Sequence, residues 1–348
     1  LDDDAGTAGH GNEKGLEVAT RAWNPGELLE ISGSFWKTCV LHTAVKMDVF
    51  TVIGEGRLTA GEITQKVDGA ANGVERLLNA LVAMELLDKK DGKFVNTPSG
   101  SELLAKDSPK YLGHIIMHHH HLLESWSKLD QAVKSGKPQR SRSSYSKEEW
   151  RESFLMGMFN LAMGLAPQIV PAIDVSDRHH LLDLGGGPGT YAIHFCLNNE
   201  HLKATVYDLP TTRPFAERTI QQFKLADRVN FIDGNYLEDP VEGRYDVAWL
   251  SHILHGEGPD DCRMIIQKAV DVLEPGGMII IHDFILNNSM DGPLFPALFS
   301  LNMLLGTESG QAYSEEQIID MLAAAGAKDI RRIVVQSPND SGIIVGKV

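Results

Sequence analysis

A chain of 348 residues, 43% hydrophobic and 23% charged, has the makeup of an ordinary globular protein of about two domains with a sizeable core. That composition excludes a disordered chain, a collagen and a disulfide-stapled miniprotein. The formal charge of −15, from 47 acidic and 32 basic side chains, repels phosphate backbones, so no nucleic-acid partner is expected and a small-molecule enzyme fits better.

Cys39, Cys196 and Cys262 are widely spaced, with no CxxC or Cys/His ligand spacing, and no metal is expected. Few unpaired cysteines suit a reducing cytoplasm. No apolar run reaches the ~18–20 residues of a membrane span, and the acidic, glycine-rich start does not read as a signal peptide, so no membrane partner is expected. Residues 1–24, beginning LDDDAGTAGHGNEK, have little apolar content and are expected to form a flexible tail.

In residues 25–110, Phe35-Trp36, Val40-Leu41, Ala44-Val45 and Val49-Phe50 recur at helical spacing and predict one amphipathic helix. Its Phe35, Trp36, Leu41 and Val45 are too apolar for the free surface of a small module and predict a dimer contact. In LTAGEITQKV, Thr59 followed by Glu62 predicts a capping box at a second helix. NGVERLLNALVAMELL predicts a third, with Leu77, Leu78, Leu81, Val82 and Leu86 on one side. Asp91-Gly92 between short apolar runs predicts a hairpin, and three helices with a hairpin make a winged helix. Residues 31–110 carry ten basic and ten acidic side chains, without the basic stripe of a DNA reader, so this module reads as a dimerising one.

Residues 111–170 read as helical around the polar loop KSGKPQRSRSSYSKEE. Successive helical residues rotate by about 100°, so the run His118–His121 cannot converge on one metal. His119 shares a face with Leu122 and Trp126. From Leu181 the apolar runs LLDLGGG, ATVYDLP, VNFIDGN, YDVAWLSHI, GGMIIIHDFIL, RRIVVQSP and SGIIVGKV alternate with helical patterns. They predict an α/β fold over residues 111–348, linker helices and then a doubly wound, mostly parallel, Rossmann-like sheet with an antiparallel C-terminal edge.

HLLDLGGGPGTYAIHF reads as a buried strand, a glycine turn and a helix start. Asp183 closes the strand and suits a ligand with an ammonium group. Thr190 stands where a dinucleotide fingerprint has its third glycine, and no Gly-Lys-Ser/Thr is present, which excludes that fingerprint and a P-loop. The next strand ends in Asp208, which reads either as a turn residue or as a carboxylate for ribose hydroxyls. An amino-acid end plus a ribose end describes S-adenosylmethionine. The Met and Phe residues of ESFLMGMFNLAMG and LFPALFSLNML, at helical spacing, read as core or as a lining for a flat aromatic acceptor through Met158, Phe159, Phe299 and Met303.

Taken together, these segments resemble the small-molecule O-methyltransferases of the caffeic acid and hydroxyindole type, in order and over nearly the whole chain. GSFWKTCVLHTAVKMDVF, LTAGEIT and ERLLNALVAMELL are similar to the N-terminal dimerisation domain, LLDLGGGPGTYA to the cofactor motif and VYDLP to the ribose-binding strand end. FIDGNYLEDP is similar to the adenine-contacting segment, LSHILHGEGPDDC to the catalytic-histidine segment and LEPGGMIIIHDFIL to the following strand. GQAYSEEQIIDMLAAAGA lies over the pocket-closing loop and last helix. The resemblance implies a metal-independent homodimer that binds S-adenosylmethionine, releases S-adenosylhomocysteine and methylates a hydroxyl of an aromatic or polyketide-like acceptor.

It also assigns Asp183, Gly185, Gly186 and Gly187 to the methionine end, Asp208 and Leu209 to the ribose, and Asn235 with Tyr236 to the adenine. Asn235 replaces an acidic residue, and Ser251 replaces a basic one. His255 takes the base position, although the family's His-Asp-Trp reads His-Gly-Glu here. Asp283 takes the first supporting carboxylate, Ala312 stands at the second, and His119 falls near the acceptor pocket. A histidine suits removal of a phenol proton near neutral pH, and His252 is the competing choice. Asp283 rather than His282 is expected to face the site. The alternatives are N- or C-methylation, a cofactor-binding relative with a non-methylating reaction, and a ligand-sensing winged-helix regulator.

Overall fold

The computed structural model describes residues 21–142, 147–335, 337 and 339–348. Helix α1 (Pro25–Gly33) opens at Asn24, whose side chain accepts the Glu27 N–H while the Glu27 carboxylate accepts the Asn24 N–H. Arg21 pairs with Glu27 and lies over the Trp23 ring, so the last residues of the stretch expected as a tail lie against the start of α1. Residues 1–20 lie outside the described residues.

The helix expected from Phe35 to Phe50 is two, α2 (Phe35–Lys46) and α3 (Val49–Ile53). Asp48 between them has a φ of 61°, in the left-handed region, which ends the first ladder and turns the chain. Phe35 and Trp36 are exposed as expected, but Val45 is buried with Ala44, Val49 and Phe50 in the module's own core. It leaves the proposed dimer face for that reason.

β1 (Leu58–Thr59) precedes α4 (Ala60–Lys66), where Thr59 and Glu62 form the expected capping box. α5 (Ala71–Ala83) buries Val74, Leu78 and Leu81, and Leu86 falls beyond its end. β2 (Leu87–Lys90) and β3 (Lys93–Asn96) form the hairpin, with Asp91 and Gly92 both left-handed at its turn. β3 lies between β1 and β2 in an antiparallel sheet.

α6 (Pro98–Leu104), α7 (Gly113–Trp126), α8 (Leu129–Ser135) and α9 (Glu148–Ile169) follow. Contrary to the expectation from apolar runs, Glu148–Ala172 is long and apolar enough by composition to cross a membrane. Its Leu155, Phe159, Ala166 and Ile169 are buried, and α9 packs along α7 and the later α10 (Thr190–Asn198).

The second part of the chain adds β4 (His180–Leu184), β5 (Lys203–Asp208), α11 (Arg213–Gln222), β6 (Val229–Asp233), β7 (Tyr245–Ser251) and α12 (Pro259–Asp271). It continues with β8 (Leu273–Leu286), α13 (Leu294–Gly306), β9 (Tyr313–Ser314), α14 (Glu315–Ala324), β10 (Lys328–Ile333) and β11 (Ser341–Lys347). The main sheet runs β10-β11-β8-β7-β4-β5-β6, parallel except for β11, which is antiparallel to both neighbours. Successive strand residues point to opposite faces, so one core holds Leu181, Trp249 and Ile280 and the other Leu182, Leu250 and Ile281. Helices cover both faces, which is why the central strands read as unbroken apolar runs.

His118 on α7 is buried against Phe154, their rings 5.2 Å apart. Burial, with His119, Arg140 and His121 adding, pushes its pKa from 6.5 down to about 3, and burial with His120 pushes His42 down to about 4. Both imidazoles therefore take up a proton more readily in the unfolded chain, and stability should fall as pH drops below about 6.5. Urea unfolding should show a lower midpoint at about pH 5 than at pH 7, and His118→Gln should narrow that difference.

Candidate active site

Two acidic strand ends, a third acid within β8 and two turns meet at the carboxyl edge of the sheet. After β4 the chain turns through Gly185, Gly187 and Gly189, with φ of 69°, 55° and 76°. At Gly185 a Cβ would fall 2.6 Å from Ile253, and at Gly186 it would fall 2.6 Å from the Asp183 carboxyl carbon, so this turn admits no side chain at either position. At Gly187 the same atom would meet open space. The turn therefore packs tightly on one side and opens on the other, as a ligand cradle must.

Asp183 is 1% exposed. Its Oδ2 accepts the Ala192 N–H at 3.2 Å, while Oδ1 has no partner among the described residues. Burial, reinforced by the Asp208 charge and opposed by the Ala192 bond, pushes this carboxyl up to about 7. Asp208 accepts the Gly187 N–H at 2.8 Å, the Leu209 N–H at 2.7 Å and the Thr212 hydroxyl at 3.0 Å. It ties the glycine turn to the end of β5, so the turn-residue role weighed for it is present. Asn235 spends its side-chain oxygen on the Leu237 N–H, and the Tyr236 ring lies against the Gly185 position. These features fit S-adenosylmethionine: an unpartnered buried acid, an open glycine turn and a carboxylate at the neighbouring strand end.

On the other side, β7 ends at Ser251 beside His282 of β8. The Ser251 hydroxyl bonds His282 Nδ1 at 2.9 Å, so the residue standing at the family's basic position serves the sheet core instead. His282 is fully buried against Tyr191 and Trp249, and burial keeps it neutral with its pKa well below the usual range. Asp283, the next residue, points to the opposite face.

His252 takes a φ of 55°, and Leu254–Gly256 forms one 3-10 turn, so His252 and His255 do not share a regular helix. They meet at one carboxylate all the same. His255 Nδ1–H donates to Asp283 Oδ1 at 2.6 Å, and the His255 backbone N–H reaches Oδ2 at 3.3 Å. His252 Nδ1 lies 3.6 Å from Oδ1, too long for a good hydrogen bond. Burial alone would raise the Asp283 carboxyl, but the charge and hydrogen bond of His255, with the nearby His252 imidazole adding, outweigh it and hold the group well below the usual carboxylate range. The donor atoms of His252, His255 and Asp283 lie within 4.8 Å of one another, but a 2.6 Å approach is a hydrogen bond, shorter than the about 3.3 Å edge of a tetrahedral zinc site.

With Nδ1 facing Asp283, the remaining His255 nitrogen, Nε2, has no hydrogen-bond partner among the described residues. The imidazole stacks on Phe284 at 5.5 Å and meets the edge of Phe299 at 4.8 Å, and Phe295 lies 5.0 Å from Phe284. Phe299, expected to line the acceptor site, packs against His255 together with Phe284 and Phe295, which the sequence reading did not single out. Met303 is buried one turn further along α13, while on α9 Phe159 is buried and Met158 half-buried. His119 is elsewhere: it lines a groove of about 380 Å³ between α2 and α7, with Leu41, His42 and Trp126, that includes none of the His255 wall.

Two more missed residues complete the site. Glu257, the glutamate of the His-Gly-Glu departure, is 2% exposed and bonded by both terminal nitrogens of Arg142, at 2.6 and 2.7 Å. Ala312 supplies no carboxylate, its N–H bonding Ser300, but neighbouring Tyr313 donates its hydroxyl to the Glu257 carbonyl at 2.6 Å. The His-Gly-Glu departure itself was the only local signal for this glutamate. Its arginine lay in a loop of polar residues with no pattern.

Residues 126–328 match the O-methyltransferase domain family, and residues 29–106 match the O-methyltransferase dimerisation domain. The chain is 29% identical over 328 residues to the 3-hydroxy-5-methyl-1-naphthoate 3-O-methyltransferase of Streptomyces sahachiroi, covering 92% of this chain and 95% of that protein. It is 29% identical over 326 residues to the acetylserotonin O-methyltransferase of Gallus gallus, covering 88% and 93%. Among solved structures, an O-methyltransferase family protein from Burkholderia thailandensis superposes with a TM-score of 0.84 at 26% identity, covering 94% of this chain and 98% of its own. With the dimerisation domain ahead of a methyltransferase domain that spans more than half of the sequence, this chain belongs to the S-adenosylmethionine-dependent O-methyltransferase family.

Proposed function

We propose that the enzyme methylates a hydroxyl of a small aromatic or polyketide-like acceptor, with His255 as general base and Asp283 as the carboxylate that positions it. The observation that carries this reading is the 2.6 Å bond from His255 Nδ1–H to a buried, anionic Asp283. It fixes the tautomer and leaves the Nε2 lone pair to take the acceptor's hydroxyl proton. Phe284, Phe295 and Phe299 make an apolar wall beside that nitrogen, suited to a flat ring, with Met303, Phe159 and Met158 extending the lining.

Asp183, Gly185, Gly186 and Gly187 would hold the methionine end of the cofactor, Asp208 and Leu209 the ribose, and Tyr236 and the Asn235 amide nitrogen the adenine side. When bound, S-adenosylmethionine supplies a methyl group on a sulfonium, an electrophile with an excellent leaving group. The chain's own task is then to align the hydroxyl and remove its proton. We read residues 25–110 as the dimerising module and residues 111–348 as linker helices and catalytic domain. The exposed Leu29, Ile31, Phe35 and Trp36, beside the groove that holds His119, form the face for a second copy in a homodimer.

Labelled S-adenosylmethionine turned over against a panel of phenols, with mass spectrometry, should give an O-methylated product. Methylation only at nitrogen or carbon, or cofactor binding with no product from any phenol, would overturn the reading. His255→Ala should lower kcat by about 10²–10⁴-fold with S-adenosylhomocysteine affinity retained. Asp283→Asn should lower it less, and the two losses should not add. A His255→Ala enzyme as fast as wild type would move the base role to His252.

Asp183 predicts a pH effect of its own. Its carboxyl stands at about 7 in the free protein, and an ammonium group beside it would favour the ionised form. S-adenosylhomocysteine should therefore bind more tightly as pH rises through about 7, and Asp183→Asn should flatten that dependence in calorimetric titrations.

A further inference from the structure

Glu257 poses an electrostatic problem that the proton transfer does not use. A carboxylate at 2% exposure costs several kcal/mol to bury unless a partner offsets it. The partner comes from the loop after α8, where Arg142 donates to both carboxylate oxygens. The same guanidinium also donates to the carbonyl of Gly256, the residue that follows His255. On the opposite side, Tyr236 donates its hydroxyl to Glu257 Oε1 at 3.1 Å, and its ring rests on the Gly185 position of the glycine turn. The groups facing the carboxylate are thus Arg142 and Tyr236, while the Cys262 thiol of α12 and the Tyr313 hydroxyl of β9 bond the Glu257 backbone carbonyl. Of these, only Arg142 carries positive charge.

We propose that Arg142 and Glu257 act as one positioning pair that sets both halves of the site. Glu257 orients Tyr236 against the cofactor turn, and Arg142 holds the His255 turn by the Gly256 carbonyl. This builds on the methyl-transfer reading, since the turn it steadies carries the proposed base. A bidentate ion pair has a fixed direction, which suits it to hold the turn and the tyrosine in one geometry.

The test compares Arg142→Ala, Arg142→Lys, Glu257→Gln and the double variant Arg142→Ala/Glu257→Gln. Each is measured for S-adenosylhomocysteine affinity by calorimetry from pH 5 to 9, for kcat and KM, and for melting temperature. Arg142→Ala should weaken S-adenosylhomocysteine binding and lower kcat, each by about tenfold or more, because it strands a buried charge. Beyond the Asp183 effect already present in the wild type, its binding should gain a further pH dependence, because a buried carboxylate left without its partner favours its neutral form. The double variant should lack that pH dependence and lie closer to wild type than Arg142→Ala does. Arg142→Lys, which keeps the charge but not the bidentate fork, should recover part of the loss.

If Arg142→Ala melts lower but binds S-adenosylhomocysteine within twofold of wild type, with unchanged kcat and no new pH dependence, the pair is a loop anchor only and the proposal falls. Should Arg142→Ala not fold, Arg142→Lys and Glu257→Gln decide the matter by the same two readouts. Failure of the wild type to methylate any phenol would overturn the functional reading alone, because the binding arm still decides the role of the pair.

Discussion

The site exists because β4 and β7 are hydrogen-bonded parallel neighbours that stop together, while β8 runs parallel beside β7 and continues past their ends. Leu184 pairs with Leu250, and Ser251 pairs with His282, so the glycine turn, the His252–Gly256 segment and Asp283 emerge side by side. Strand alternation then divides the labour between adjacent residues. His282 faces Tyr191, Trp249 and Ser251 within the sheet's packing, and Asp283 faces His255. A shift of one residue in the β7–β8 register would exchange them, placing an imidazole where the carboxylate is needed.

Buried acids line this edge, and their environments drive them apart. Asp183 and Asp283 are both nearly inaccessible, yet one is pushed up and the other held down. The difference lies in partners rather than depth. Asp183 receives one backbone N–H and keeps an unsatisfied oxygen, whereas Asp283 receives the His255 imidazole and two backbone N–H groups, from His255 and Phe284. Asp283 is therefore a permanent anion, suited to orienting an imidazole. Asp183 is a poised one, suited to a cationic guest. Glu257 is a third solution, in which a bidentate arginine neutralises the charge.

Much of the architecture was legible because it is written locally. The Thr59–Glu62 capping box, the Asp91-Gly92 turn and the apolar runs of the parallel strands each depend on residues a few positions apart. Where the reading failed, the deciding contact was distant. Periodicity carried a helix through Asp48 because its left-handed conformation leaves no mark on the apolar spacing, and Val45 looked exposed because the elements that cover it come later in the chain. The loop 136–142 looked featureless, yet Arg140 bonds Asn302 and Arg142 bonds Glu257, across 162 and 115 positions.

The sequence by itself determined the glycine turn and its acidic strand ends. A glycine turn between a buried strand and a helix, with carboxylates at two strand ends, demands particular residue types at short, fixed spacing. Only the tertiary structure decided which histidine holds Asp283, where His119 lies, and which residue pairs with Glu257. Those outcomes turn on a left-handed backbone angle at His252, on a groove between α2 and α7, and on an arginine from a distant loop. Contacts of that kind are chosen by packing and charge in three dimensions, and packing and charge between distant residues impose no period on the chain.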